Sequence, residues 1–212
     1  MNRERLRLAL EQYESCNLQR HEVQGIDHIG YGINLETPLP DELLEYLGVE
    51  DEDDIQEITQ EQADCMFDRF IDVAHQDAIS IYGYDVFNAL SPIRQEVLVN
   101  LSYNLGYSRL KAFRKMNAAV MAGDYNEAAL QMLDSKAARQ TGDRYEKLSA
   151  AFTTDNEACL VLPTLFDTPP PEENVNKIVD DIEPIDSDEA VETAKTLPAD
   201  VMLRELLRRA GG

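Results

Sequence analysis

Residues 22–35 read EVQGIDHIGYGINL, and this short run decides the fold class. It is rich in Ile and Tyr and punctuated by Gly25, Gly30 and Gly32. Such a stretch predicts two or three small strands joined by tight turns. A sheet that small has to be covered by its neighbours, and those neighbours read as helices. Upstream, residues 3–14 place Leu6, Leu10 and Tyr13 on one stripe with charges elsewhere, the pattern of an amphipathic helix. Downstream, PDELLEYLG has helical periodicity, and Thr59-x-x-Gln62 is a capping box that opens a further helix. Its stripe of Met66, Phe67, Phe70, Val73 and Ala74 continues to about Ile81, long enough to bridge two lobes.

Ser91-Pro92 supplies an N-cap with proline in the first turn, and Gly106 supplies a stop. Between them VLVNLSYNL is apolar nearly all round, which marks a helix buried at the centre of a domain. Further helices are expected over about 108–122, 124–133 and 143–152. The expected class is α+β, mainly helical, with a small N-terminal sheet.

The 212 residues carry 41 acidic and 19 basic side chains, a formal net charge of -22. A field of that sign repels nucleic acid phosphates and anionic membranes, so neither is an expected partner. No apolar run approaches the roughly 20 residues that span a bilayer. The N-terminus has no compact apolar stretch with a small-residue cleavage site, so it does not read as a secretory signal. Cys16, Cys65 and Cys159 are odd in number and widely spaced, which fits neither a disulfide framework nor a zinc knuckle. His21, His28 and His75 lack the His-x-x-x-His spacing of zinc hydrolases. No metal and no cofactor is expected, and a reducing cytoplasm is the expected place of synthesis.

From Asp41 to Asp64 there are eleven acidic residues and no Lys or Arg. After Thr154 the composition shifts again, and PPPEE and DDIEPIDSDE mark residues 155–195 as an acidic, Pro-rich linker. Residues 154–212 hold 14 acidic and 5 basic side chains, a net of -9. Residues 196–212 close the chain as a short amphipathic helix. A chain ending near Thr154 is therefore expected to fold and function, with the apolar segment Leu160–Phe166 as the weak point of that expectation.

Hydrolysis of a glycosidic bond needs a carboxylic acid that protonates the leaving oxygen and a second group on the opposite face of the sugar. Glu14, at the end of the first helix and just before the sheet, is the candidate acid, because a helix end is a rigid platform. One Glu among 41 acidic residues is by itself a weak signal. Its neighbours sharpen it: Glu14-Ser15, Leu18, His21-Glu22, Gly25 and His28-Ile29-Gly30-Tyr31-Gly32. This series resembles the catalytic signature of the phage-type lysozymes, glycoside hydrolase family 24. The likeness continues through Ile58–Ala78, Leu90–Gly106, Asp124–Ala129 and Ser135–Phe152, about 150 of 212 residues in preserved order.

The resemblance implies a two-lobed lysozyme fold over residues 1–154. Its N-lobe would span about 1–60, a long interlobe helix about 60–80, and a helical C-lobe about 81–154. It implies Glu14 as general acid, with Glu22 at the position of the family's second carboxylate and His28 at the position of the Thr that orients water. It points to Tyr31, Asn104, Gln140 and Arg144 as saccharide-binding residues, against a packing or capping role for each. The departures are Ser15 for Gly, a spacing of eight in place of nine between the two carboxylates, Glu22 for Asp, and His28 for Thr. The spacing of six from Glu22 to His28 is kept. A neutral imidazole at His28 is a competent general base near neutral pH, or a nucleophile that changes inversion to retention.

The expected activity is a muramidase acting on peptidoglycan glycan strands, as a phage endolysin made in the host cytoplasm or as a virion-associated lysozyme. In the second case the acidic tail would dock to phage tail or capsid proteins. A lytic transglycosylase and a catalytically inactive lysozyme-fold component of a virion are the alternatives.

Overall fold

The computed structural model describes residues 1–141 and 143–161. Helix α1 (Arg3–Glu11) starts where the Asn2 side chain accepts the Arg5 backbone N–H, and it buries Leu6, Ala9 and Leu10. The helix ends short of the expected residue 14, although the Glu14 N–H still reaches the Leu10 carbonyl at 3.1 Å. Arg5 ties α1 to the centre of the molecule. Its guanidinium donates twice to Glu96, at 2.6 and 2.7 Å, and the Glu96 carboxylate is fully buried.

Three antiparallel strands follow: β1 (Asn17–Val23), β2 (Ile26–Gly30) and β3 (Ile33–Asn34), in the order β1-β2-β3. The β1–β2 turn is only Gln24-Gly25, both with positive φ (56° and 82°), as a two-residue type I′ hairpin requires. β1 begins earlier than its sequence suggests. Its polar first half is held by residues 56–58, where Arg20 N–H donates to Gln56 O and Ile58 N–H to Leu18 O, both at 2.9 Å. Ile29 and Ile33 pair across β2 and β3 and are buried, so one face of the sheet meets the core.

Helix α2 (Asp41–Leu47) ends on Gly48 in the left-handed conformation. Helix α3 (Gln60–Tyr82) opens with the full capping box, Thr59 and Gln62 each bonding the other's backbone N–H. At 23 residues it is about 34 Å long. It packs on β2 and on the helices α4 (Tyr84–Ala89), α5 (Pro92–Leu105) and α6 (Tyr107–Lys111). Its buried face is Ala63, Met66, Phe67, Ile71, Ala74, Ala78 and Tyr82. Val73 is exposed, contrary to the expected stripe. At 100° per residue it lies about a third of a turn from the Phe67–Ala74–Ala78 line.

Helix α5 is buried all round, as its composition predicts, with the Ser91 cap, Pro92 in the first turn and Gly106 at the end. The expected helix over 108–122 is two helices, α6 and α7 (Arg114–Ala122), split at Ala112-Phe113. Asn117 explains the break. Its buried amide donates to the Leu110 and Lys111 carbonyls at 2.9 and 3.3 Å, satisfying the end of α6. Helices α8 (Tyr125–Leu133), α9 (Lys136–Thr141) and α10 (Asp143–Thr154) follow. The described residues are 67% helical with this one small sheet, an α+β and mainly helical class.

The folded chain does not stop at Thr154. Helix α11 (Ala158–Val161) packs on α1 and α10, with Cys159 and Leu160 buried, and Glu157 meets Arg5. The expected boundary at 154 and the linker beginning at 155 are corrected accordingly. Apolar side chains at 159 and 160 return to the core, as the Leu160–Phe166 segment hinted. The rest of the linker and the amphipathic segment 196–212 lie outside the described residues.

Candidate active site

Glu14 sits in the turn that leaves α1, three residues past its last helical residue. One carboxylate oxygen, Oε1, accepts a 2.7 Å bond from Arg144 Nη1 of α10. The Arg144 side chain is 4% exposed and that of Glu14 18%, so this ion pair is largely withdrawn from water. Buried charges are tolerated only when their remaining hydrogen-bonding capacity is used. Arg144 meets that condition: Nε and Nη2 both donate to Asn100 Oδ1 of α5, at 3.1 and 2.9 Å. The guanidinium carbon also lies 5.0 Å from the centre of the Tyr13 ring. Two segments distant in sequence, α5 and α10, therefore fix the Glu14 carboxylate.

The second oxygen, Oε2, faces the β2–β3 turn. A Cβ built on Gly32 would lie 3.2 Å from it, and Gly32 has φ +75°. Glycine is thus demanded there twice, by backbone conformation and by the close approach of Glu14. Tyr103 of α5 closes another side. Its hydroxyl donates to the Tyr31 carbonyl at 3.0 Å and its ring meets Phe67 edge-on at 5.6 Å. Burial, and next the negative charge of Glu14, raise the Tyr103 phenol well above its ordinary value. Beside the ion pair, Asn100 Nδ2 and the Tyr13 hydroxyl are buried without a protein partner among the described residues.

His28 and Glu22 are not neighbours in the way the motif suggests. The register pairs His21 with His28 and Glu22 with Asp27. Side chains alternate faces along a strand, so Glu22 and Asp27 share the face of Ile29 while His21 and His28 share the other. Glu22 is exposed near the hairpin tip, and its expected partnership with His28 is corrected. The half-buried His28 ring bonds the Ile26 carbonyl through Nδ1 at 2.9 Å, and its centroid is 6.2 Å from that of His21. A carbonyl only accepts, so Nδ1 carries the proton and Nε2 of a neutral ring is left as a base.

The four expected saccharide-binding residues separate. Tyr31 is 9% exposed, stacks on Phe67 at 4.3 Å and donates to Asp64 at 3.0 Å. Its ring is committed to the core and offers no sugar platform, which corrects that expectation. Asn104 is half-buried at the end of α5, where it accepts from the Tyr145 hydroxyl at 3.2 Å. Gln140 is exposed on α9 and makes none of the contacts around Glu14. Arg144 is held in the ion pair.

Sequence reading missed Asn100, Tyr103 and His21. Asn100 had a visible signal, an amide flanked by Val99 and Leu101 inside the apolar run VLVNLSYNL, where a buried polar group must have a partner. Among the described residues no group of three or more His, Cys, Asp or Glu is arranged to hold a metal ion. No protein-family model matches the chain, and no curated protein sequence matches it significantly.

Proposed function

We propose that the chain is a peptidoglycan hydrolase, a muramidase that cleaves the β-1,4 bond between N-acetylmuramic acid and N-acetylglucosamine. The observation that carries this reading is the Glu14 carboxylate, largely buried, aimed by Arg144 and approached by a glycine where any side chain would crowd it. A carboxyl group held this rigidly beside a hairpin is suited to general acid catalysis at a glycosidic oxygen. Oε1 is committed to Arg144, so Oε2 on the Gly32 side is the oxygen that delivers the proton. His28, through Nε2, activates the attacking water or attacks the anomeric carbon. Glu22 has no part in either step. Action at the cell wall, as an endolysin or from a virion, follows from the same reading.

The test is release of reducing ends from purified peptidoglycan. Glu14→Gln keeps the size and the acceptor for Arg144 but removes the proton donor, and a loss of at least ~100-fold is expected. The anomer formed first separates the two roles of His28, inversion for a water base and retention for a nucleophile. A second reading is favoured by one feature, the departure of Glu22 from the His28 face. It makes the chain an inactive lysozyme-like scaffold of a virion. Absence of turnover by the wild-type chain on walls of several bacteria would establish that alternative.

A further inference from the structure

The chain is strongly acidic, yet one surface is the reverse. Between Glu96 and Asp124 there is no Asp or Glu, and Arg109, Lys111, Arg114 and Lys115 fall within seven residues. All four are exposed on α6 and the start of α7. Most other cations of the described residues are paired, Arg3, Arg5, Arg7, Arg20, Arg94 and Arg144 each facing a carboxylate, and Arg69 and Lys136 stand singly rather than in a cluster. The four on α6 and α7 make no ion pair among the described residues. Tyr107 stands among them, 36% exposed, and Lys111 Nζ donates to its hydroxyl at 3.0 Å. An open aromatic ring beside unpaired cations is unsuited to a core and suited to an anionic ligand with sugar or peptide faces.

The position adds to this. Tyr107 follows the Gly106 cap of α5, whose last turn holds Tyr103 and Asn104. Tyr107 is four residues from Tyr103, a reach of at most about 14 Å, so the patch begins beside the helix end that closes the Glu14 site. We propose that residues 107–115 are a second wall-binding surface, which engages the carboxylates of peptidoglycan peptide stems while the glycan lies at Glu14. The proposal rests on the muramidase reading. It accounts for how so acidic a protein approaches an anionic polymer: the acidic segment 41–64 is repelled, and the only unpaired cationic cluster among the described residues turns towards the wall.

The experiment is co-sedimentation of the full chain with insoluble peptidoglycan, native or with its carboxylates converted to amides. The variant Arg109→Gln/Lys111→Gln/Arg114→Gln/Lys115→Gln is compared with wild type, and the double variant Lys111→Gln/Lys115→Gln guards against a folding defect. The fourfold variant is expected to bind native walls about tenfold more weakly, since each exposed pair contributes a fraction of a kcal/mol to about one. Wild type should lose the same amount on amidated walls, and added salt should erase the difference as the Debye length shrinks. Hydrolysis of a neutral, soluble chito-oligosaccharide should be equal in both proteins. Equal binding of native walls by wild type and variants, or no effect of amidation, overturns the proposal. So does wall binding that appears only after residues 162–212 are deleted, which would make the acidic tail the occupant. A wild type that sediments as described but cleaves no glycan leaves the surface standing and removes the muramidase reading.

Discussion

Ending the chain at Thr154 rather than Val161 removes one short helix and little else. Leu160 is 3% exposed and Cys159 8%. Burial of one leucine is worth about 1.5–3 kcal/mol, and the cysteine adds less. Glu157 is 67% exposed, so its ion pair with Arg5 contributes a fraction of a kcal/mol, and Arg5 keeps its bidentate partner Glu96. Loss of Asp155 removes an acceptor for Ser91, but Arg94 retains the Phe152 carbonyl at 2.9 Å. The sum is about 3 kcal/mol, which for a chain of this size lowers Tm by roughly 6–12 °C. Thermal unfolding of chains 1–154 and 1–161, followed by circular dichroism, reads that difference directly. Leu160→Ala in the longer chain should reproduce most of it, about 2–3 kcal/mol. Identical Tm values for the two chains would refute the reasoning, since α11 could then contribute no packing to α1 and α10.

Gly32→Ala should cost about 1–2 kcal/mol for its left-handed backbone. Its new methyl, 3.2 Å from Glu14 Oε2, should also displace the carboxylate and cut wall hydrolysis at least ~10-fold. Wild-type turnover in that variant would show that the carboxylate accommodates the methyl and that its close approach to Gly32 is not needed for hydrolysis. Alkaline stability follows from the buried phenols Tyr82, Tyr103 and Tyr145, all raised chiefly by burial, Tyr145 to about 12. Below pH 10.0 each phenol is neutral folded or unfolded, so stability is unaffected; above it the unfolded chain ionises first. Each should then remove about 1.4 kcal/mol per pH unit, so the exposed phenols should ionise first and the last three phenolates should appear together with loss of helix in an alkaline titration. Titration of all nine phenols with the helix intact would contradict the burial.

Most of the fold was legible because its helices announce their ends. Thr59 and Gln62, Ser91-Pro92 and Gly106 are local signals, and the elements they bound stand within a residue or two of expectation. Two of the features that were not legible each depend on a distant partner. The first half of β1 is polar and is fixed by backbone bonds to residues 56–58, which leave no periodicity in its own sequence. The break between α6 and α7 is imposed by Asn117, whose side chain reaches back to carbonyls six and seven residues earlier. Tertiary contacts of this kind override the helix propensity of the segments they cross.

The candidate site divides along the same line, and the hairpin shows why. A spacing of six between Glu22 and His28 suits a long loop, where a residue just after the strand can swing back towards its partner strand. In a hairpin closed by two residues the parity of the spacing decides the face. Directly paired residues there have numbers of constant sum, as His21 with His28 and Glu22 with Asp27 show, so same-face partners are separated by odd numbers. Seven residues join His21 to His28 on one face; six send Glu22 to the other. The positive φ at both Gln24 and Gly25 is what closes the turn in two residues. The two-residue closure therefore puts an imidazole pair, and not Glu22, on the His28 face of the hairpin. On the muramidase reading proposed above, the group that acts opposite Glu14 is therefore to be sought at His28, with His21 beside it, and not at Glu22.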